Sequence, residues 1–275
     1  MNKIRANQIV SLALKTRKAY LNTKASSPIC PFNLAESMGM DVRFIKISSF
    51  EGMYLADNNV ILISSQRPEG RKRFTCAHEL GHHVLKHGTV IDEMLASGSD
   101  KEIEKEADFF ASMLLMPSSL VRVLGKKLDF DFSNPSPEKI YVMSKYIGVS
   151  FDALLTQLVY NLGLIKNYNY QQLKKIKVSD IKRNLHGEYE KAKDVFVVGD
   201  WWQEKAVDAI EGDSIVVDTQ CNVEGGSISL LDDGTIKCIS PGISKIYTAD
   251  WACFVRVSRA GYSGMYQYMH IEDEE

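Results

Sequence analysis

Four of the six histidines in this chain of 275 residues fall within ten positions, in the stretch FTCAHELGHHVLKHG at 74–88. The surrounding pattern, with Pro68 near its start and Gly88 at its end, predicts a single helix. At about 100° per residue, His78 and His82 lie within about 40° of each other on it. A face carrying two imidazoles one turn apart needs another element against it to be of use, so the fold has to supply one. Glu79 falls on the flank of that face. His83 and His87 lie about 100–140° around from His82 and read as solvated or adventitious. Cys76, on another face, reads as a small buried residue.

The spacing His78-Glu79-Leu80-Gly81-His82 is H-E-x-x-H, which joins two nitrogen ligands for zinc to a carboxylate placed to act as general base. It arises by chance in roughly one chain in a hundred of this length, so an exposed, charged helical turn is the competing reading. The next segment, KEIEKEADFFASMLLMP at 101–117, bears on the choice. It predicts a helix from Glu102 to about Met116, ended by Pro117. Glu104 and Asp108 share a face with Ala107, Ala111 and Leu115, while Glu102 and Glu106 project to about the opposite side. Carboxylates on an alanine-lined stripe are costly to bury unless paired or metal-bound. The alanines also let another helix approach closely. We therefore expect Glu104 as third zinc ligand, with a fourth position left for water. Asp108 would accept a hydrogen bond that orients a ligating histidine, set against plain surface solvation.

The remainder sets the context. Composition is that of a globular chain, with 45% hydrophobic and 25% charged residues and a mean hydropathy of −0.17. A formal net charge of −2 gives no overall basic field for gripping nucleic acid. Five cysteines without a C-x-x-C pair fit a reducing compartment and exclude the usual thiolate zinc spacings. The N-terminal apolar core IVSLAL is too short for a signal peptide, and no run approaches the roughly 20 apolar residues of a membrane span. A cytoplasmic protein with no membrane partner is expected.

DVRFIKI (41–47) and YLADNNVILIS (54–64) read as strands, the latter turning at Asp57-Asn58-Asn59. Residues 88–101 read as a loop, and DFDFSNPSPEK (129–139) as a boundary. Beyond it, IYVMSKYIG and SFDALLTQLVYNLGLI form two helical segments joined at Gly148-Val149-Ser150. Short β-rich runs separated by Gly and Asp turns begin near residue 193, and the acidic tail IEDEE reads as solvated. The expected fold class is α+β: a metallopeptidase core with a small β-sheet at 1–128, a helical, helix-turn-helix-like segment at 129–192, and a β-rich domain at 193–275. This last part reads as a sensor or partner-binding module, or as an appendage that adds stability.

The run RKRFTCAHELGHHVL, then E-x-E-A-D-x-F-A, then LLMP, with the later helical segment to residue 165, resembles the ImmA/IrrE metallo-endopeptidases. The resemblance spans about residues 5–165. It implies a thermolysin-like core in which His78, His82 and Glu104 hold zinc and Glu79 is the general base. It further implies limited proteolysis of a helix-turn-helix transcriptional repressor, relieving repression in a stress or mobile-element response. Manganese or another divalent ion also suits two imidazoles and a carboxylate. Tyr54 is the candidate oxyanion donor, and the edge from Gly52 to Leu55 is a candidate for substrate strand addition. Direct DNA binding is not expected, because the second helical segment carries Asp152 as its only charge before Lys166 and offers only Gln157 and Asn161 as amides. The alternative is a latent or non-catalytic regulator that binds a repressor, toxin or DNA without cutting.

Overall fold

The alternation of apolar residues at 41–64 produces three strands, β1 (Asp41–Ile45), β2 (Gly52–Leu55) and β3 (Val60–Ser64). Asn59, at φ 51°, completes the β2–β3 turn, as short polar side chains do most easily. A computed structural model describes residues 1–21, 26–87, 90–91, 100–186, 193–203 and 205–271. The loop read at 88–101 therefore lies mostly outside the described residues, as does the tail from 272. Two helices, α1 (Lys3–Leu21) and α2 (Pro31–Ser37), precede the strands, and α3 (Glu69–Leu85) follows them. A short strand, β4 (Val90–Ile91), and a long helix, α4 (Asp100–Leu115), come next. The first sheet has the order β13-β1-β3-β2-β4, in which β13 (Gly264–Met265) returns from the far end of the chain to pair with β1. β1 runs parallel to β3, and β2 antiparallel to both of its neighbours.

α3 and α4 pack tightly for a reason visible in the residues. A Cβ on Gly81 would stand 3.1 Å from Ala107 Cα and 3.2 Å from Ala107 O. Glycine facing alanine lets the two backbones meet with no side chain between them. Leu80, Phe110, Ala111 and Leu114 are then wholly buried around the contact. α1 lies along another face of α4, with Arg17 buried and donating to Leu114 O at the helix's end. The run Lys101–Lys127, which joins α4 to α5 (Ser118–Lys127), is long and apolar enough to cross a membrane, contrary to the expectation from sequence. Its most apolar window is 61% buried inside the protein.

Helices α6 (Pro137–Ile147) and α7 (Phe151–Thr156) meet at Gly148, whose φ of 87° suits glycine. Ser150 caps α7 by accepting from Ala153 N. The single helix expected at 150–165 ends early, passing into a π turn at Gln157–Asn161. Gln157 is buried and donates to Met116 O at 2.9 Å, and Asn161 donates to Gln157 Oε1 at 2.6 Å. The amides that a base-reading helix would offer are thus engaged within the protein. Two more helices, α8 (Asn167–Leu173) and α9 (Val178–His186), lead to the β-rich part.

That part holds two four-stranded sheets, ordered β5-β7-β10-β9 and β6-β12-β11-β8. In chain order these are β5 (Val195–Val198), β6 (Val207–Ile210), β7 (Ser214–Val217), β8 (Asn222–Glu224), β9 (Ile228–Leu230), β10 (Ile236–Cys238), β11 (Gly242–Tyr247) and β12 (Ala252–Ser258). Buried charge ties them to the helices. Asp208 on β6 accepts from Arg73 of α3 at 2.5 Å and from Arg256 of β12 at 2.7 Å. Asp194, just before β5, pairs with Lys145 of α6 and Lys182 of α9 at 2.6 and 2.9 Å. Burial would raise the Asp208 pKa, but Arg73 and Arg256 outweigh it and hold the carboxyl at about 2.

Two measurements check this arrangement. Replacing Gly81 with Val should force α3 and α4 apart and lower unfolding free energy by about 1–3 kcal/mol, read by urea titration. Asp208→Asn strands the buried guanidinium of Arg73 and the half-buried one of Arg256, and should cost about 3–5 kcal/mol near neutral pH. Because the folded pKa of Asp208 lies below its ordinary 3.8, this stabilisation is full above that value and lost as pH falls through 2. The gap between wild type and variant should close over the same range.

Candidate metal centre

Because α3 and α4 touch through Gly81 and Ala107, the groups flanking that contact are forced to converge. His78 Nε2 and His82 Nε2 lie 2.9 Å apart. Glu104 places one carboxylate oxygen 3.0 Å from His78 Nε2 and the other 3.3 Å from His82 Nε2. One ligand atom from each of the three residues fits within 4.8 Å of the others, the arrangement needed to hold a metal ion. His82 is fully buried and His78 nearly so.

The outward nitrogen of His78, Nδ1, is 2.9 Å from Asp108 Oδ1. A carboxylate only accepts, so Nδ1 carries the proton and a neutral His78 presents a bare lone pair at Nε2. The inward atoms of His78, His82 and Glu104 are then acceptors facing acceptors, which is unfavourable unless a positive charge sits among them. Glu104 Oε1 is buried with no hydrogen-bond partner among the described residues. The donor set of two imidazoles and a carboxylate suits a divalent cation, so the residues fit the group. In the protein alone a proton answers the same need. Burial disfavours it, but the hydrogen bonds that a protonated His78 donates to Asp108 and Glu104 push its pKa up to about 10. Burial, with the neighbouring His78 and His87, takes His82 down to about 3.

Glu79 is not part of the cluster. It points from the flank of α3 toward β2 and is 1% exposed. A Cβ on Gly52 would come within 2.9 Å of Glu79 Oε1 and 2.2 Å of Thr75 Cγ2, so only glycine lets the strand pass here. Tyr54, the candidate oxyanion donor, is buried and its hydroxyl lies 2.6 Å from His83 Nδ1. Its ring meets that of His83 edge to face at 5.3 Å. The structure therefore gives this hydroxyl a partner outside the cluster. The edge of β2 is likewise taken, since Met53 and Tyr54 pair with Ile91 and Val90 of β4. Strand addition there would displace the chain's own backbone.

Two further readings are corrected and a third is extended. His83 is not solvated but bonded to Tyr54, and His87 is not solvated but lies 3.1 Å from His82 Nδ1. The helical wheel misplaces His87 because Lys86 has left the helix at φ 60° and turns the chain back. Glu106, read only as projecting away from Glu104, is not left without a role on that side. It meets α1 through Arg5, since α4 is covered on two sides. Cys76 is buried as expected, and burial raises its thiol pKa well above the ordinary value. Nothing in the local sequence marked Gly52; the alanines of α4 did signal that something small would face them.

Beside the cluster, a cleft of about 670 Å³ opens between α3, α4 and α7, lined by Phe74, Asp108 and Phe109 together with Arg71, Lys105 and Asp152. Asp108 borders both cleft and cluster.

Comparison with known proteins bears on residues 35–158, which match the peptidase M78 family, described as the IrrE N-terminal-like domain. The radiation response metalloprotease IrrE of Deinococcus radiodurans is 32% identical over 125 residues, which are 44% of this chain and 37% of that protein. The protein of the same name from Deinococcus deserti is 36% identical over 89 residues, 30% of this chain and 31% of its own. The chain thus spans about a third of the length of these relatives. A Mycobacterium tuberculosis transcriptional regulator of known structure shares 14% identity over 55% of this chain and 46% of its own, at a TM-score of 0.39. The α3–α4 pair with its converging ligands lies wholly inside the matched stretch, and it is through residues 35–158 that the chain is similar to the IrrE N-terminal-like metallopeptidase domain.

Proposed function

We propose that the protein is a zinc-dependent endopeptidase with a thermolysin-like core, performing limited proteolysis on a helix-turn-helix transcriptional repressor. The single observation that carries the peptidase reading is the convergence of His78, His82 and Glu104 beside a buried Glu79. The choice of repressor as substrate, and of a stress or mobile-element setting, rests on the family resemblance.

A divalent cation held by those three residues supplies positive charge that polarises a substrate carbonyl and acidifies water. The chain's own residues supply the rest. Glu79 takes a proton from the attacking water and returns it to the leaving amine, with Gly52 allowing β2 to lie against its carboxylate. Asp108 keeps the proton of His78 on Nδ1, so that Nε2 faces inward. With the outer edge of β2 paired to β4, we place the substrate chain in the cleft past Asp108, where Phe74 and Phe109 offer apolar surface and Arg71 and Lys105 positive charge. The same pairing favours, as a second reading, an enzyme that is latent until β4 yields.

Elemental analysis of the purified protein should find about one zinc per chain, lost or much weakened in Glu104→Ala. A wild type that stays metal-free after zinc is supplied would leave the non-catalytic reading in front. Glu79→Gln should keep its metal, abolish cleavage, and retain a bound repressor on co-purification. Gly52→Ala should also keep its metal while turnover falls on the order of 10²-fold, the scale of effect when a catalytic group is displaced by about 1 Å. Metal content and cleavage rate measured on one preparation separate these effects.

A further inference from the structure

A histidine that binds metal through one ring nitrogen needs its proton on the other, and a hydrogen-bond acceptor beyond it fixes that choice. His78 has Asp108 for this purpose. His82 is fully buried on α3, so the acceptor has to come from within the protein.

The chain of contacts from α1 settles where the protons sit. Arg5 grips Glu106 with two bonds, Nε to Oε1 at 2.7 Å and Nη2 to Oε2 at 2.5 Å. The ionised carboxylate so held accepts and cannot donate. His87 Nε2 lies 3.3 Å from Glu106 Oε2 and must therefore carry the hydrogen of that contact. A neutral His87 is then bare at Nδ1. That atom lies 3.1 Å from His82 Nδ1, so the proton between them belongs to His82. His82 Nε2 is left bare, facing His78 and Glu104.

The backbone is shaped to make this contact. Lys86 adopts φ 60° and ψ 43°, a conformation that costs a non-glycine residue energy, and His87 N donates to His82 O at 2.9 Å. The two rings then meet at 5.2 Å between centroids. The His87 and Glu106 side chains are only 7% and 14% exposed, so water competes little.

We infer that Arg5, Glu106 and His87 are positioning residues that hold His82 in its ligand tautomer, which makes the first helix part of the support of the metal site. The inference rests on reading the His78–His82–Glu104 cluster as a metal site. Its first test needs no activity. Nitrogen-15 correlation spectra of the histidine rings, on the full chain stripped of metal and again loaded with zinc, report which nitrogen of His82 is protonated. The expected result in both states is a proton on Nδ1 and none on Nε2. The second test is zinc affinity by chelator competition. His87→Phe keeps a ring but removes the acceptor, and should weaken binding 10–100-fold. His87→Asn, whose Oδ1 stands where Nδ1 did, should recover most of that loss. A wild-type His82 protonated at Nε2 would overturn the inference, as would a folded His87→Phe protein that binds zinc as tightly as wild type. If His87→Phe does not fold, the wild-type spectra decide. A wild type that takes up no zinc but shows the assigned tautomer would sink the peptidase reading and leave the proton ordering standing.

Discussion

The contact of Gly81 with Ala107 is the constraint on which the centre depends. Two helices normally pack with axes about 8–10 Å apart, set by the side chains between them. Removing side chains at one point brings the flanking residues within bonding reach of a shared ion. His78 and His82 straddle Gly81 on one helix, and Glu104 and Asp108 straddle Ala107 on the other. The geometry of four functional groups is thereby fixed by two residues that have no chemistry of their own. The apolar packing of Leu80, Phe110 and Leu114 around them resists any separation.

What could be read from sequence follows from this local logic. Periodicity placed His78, His82, Glu104 and Asp108 on helical faces, and the alanines implied a close neighbour. All of that information lies within two short windows. The strands at 41–64 and the turn at Asn59 were readable for the same reason. The features that escaped were non-local or non-helical. His87 lies beyond a left-handed residue, where the helical wheel no longer applies. Glu106 is defined by α1, about a hundred residues earlier in the chain. Strands β6, β8 and β13 are short, and β6 carries a buried aspartate that spoils its apolar pattern. The π turn that ends α7 follows from Gln157 turning inward to Met116 O, a contact across 41 positions.

Charge is used in two distinct ways in this molecule. At the centre, acceptors crowd together and call for a cation. Between α3 and the β-rich part, Arg73, Asp208 and Arg256 form a closed set in which each buried charge has an opposite partner. Buried pairs of this kind add little net stability over an apolar contact, but they tolerate only one arrangement. Their effect is therefore on orientation: α3 is held at a fixed angle by a group five residues ahead of His78, about 7.5 Å along the helix.

That anchoring has a consequence for how the molecule is made. Arg73 and its partner Asp208 are separated by 135 positions, and β1 must wait for residues 264–265 before its outer edge is paired. Contacts of such long range form late, after loop-closure entropy has been overcome. A chain emerging from the ribosome carries the histidine helix early, with a guanidinium on its flank that lacks its bonded partner Asp208 until strand β6 follows. The α3–α4 contact that brings the ligands together is available early, whereas the tie between α3 and the β-rich part is set only near the end of synthesis, so a nascent fragment that stops short of β6 holds the ligands without that anchor.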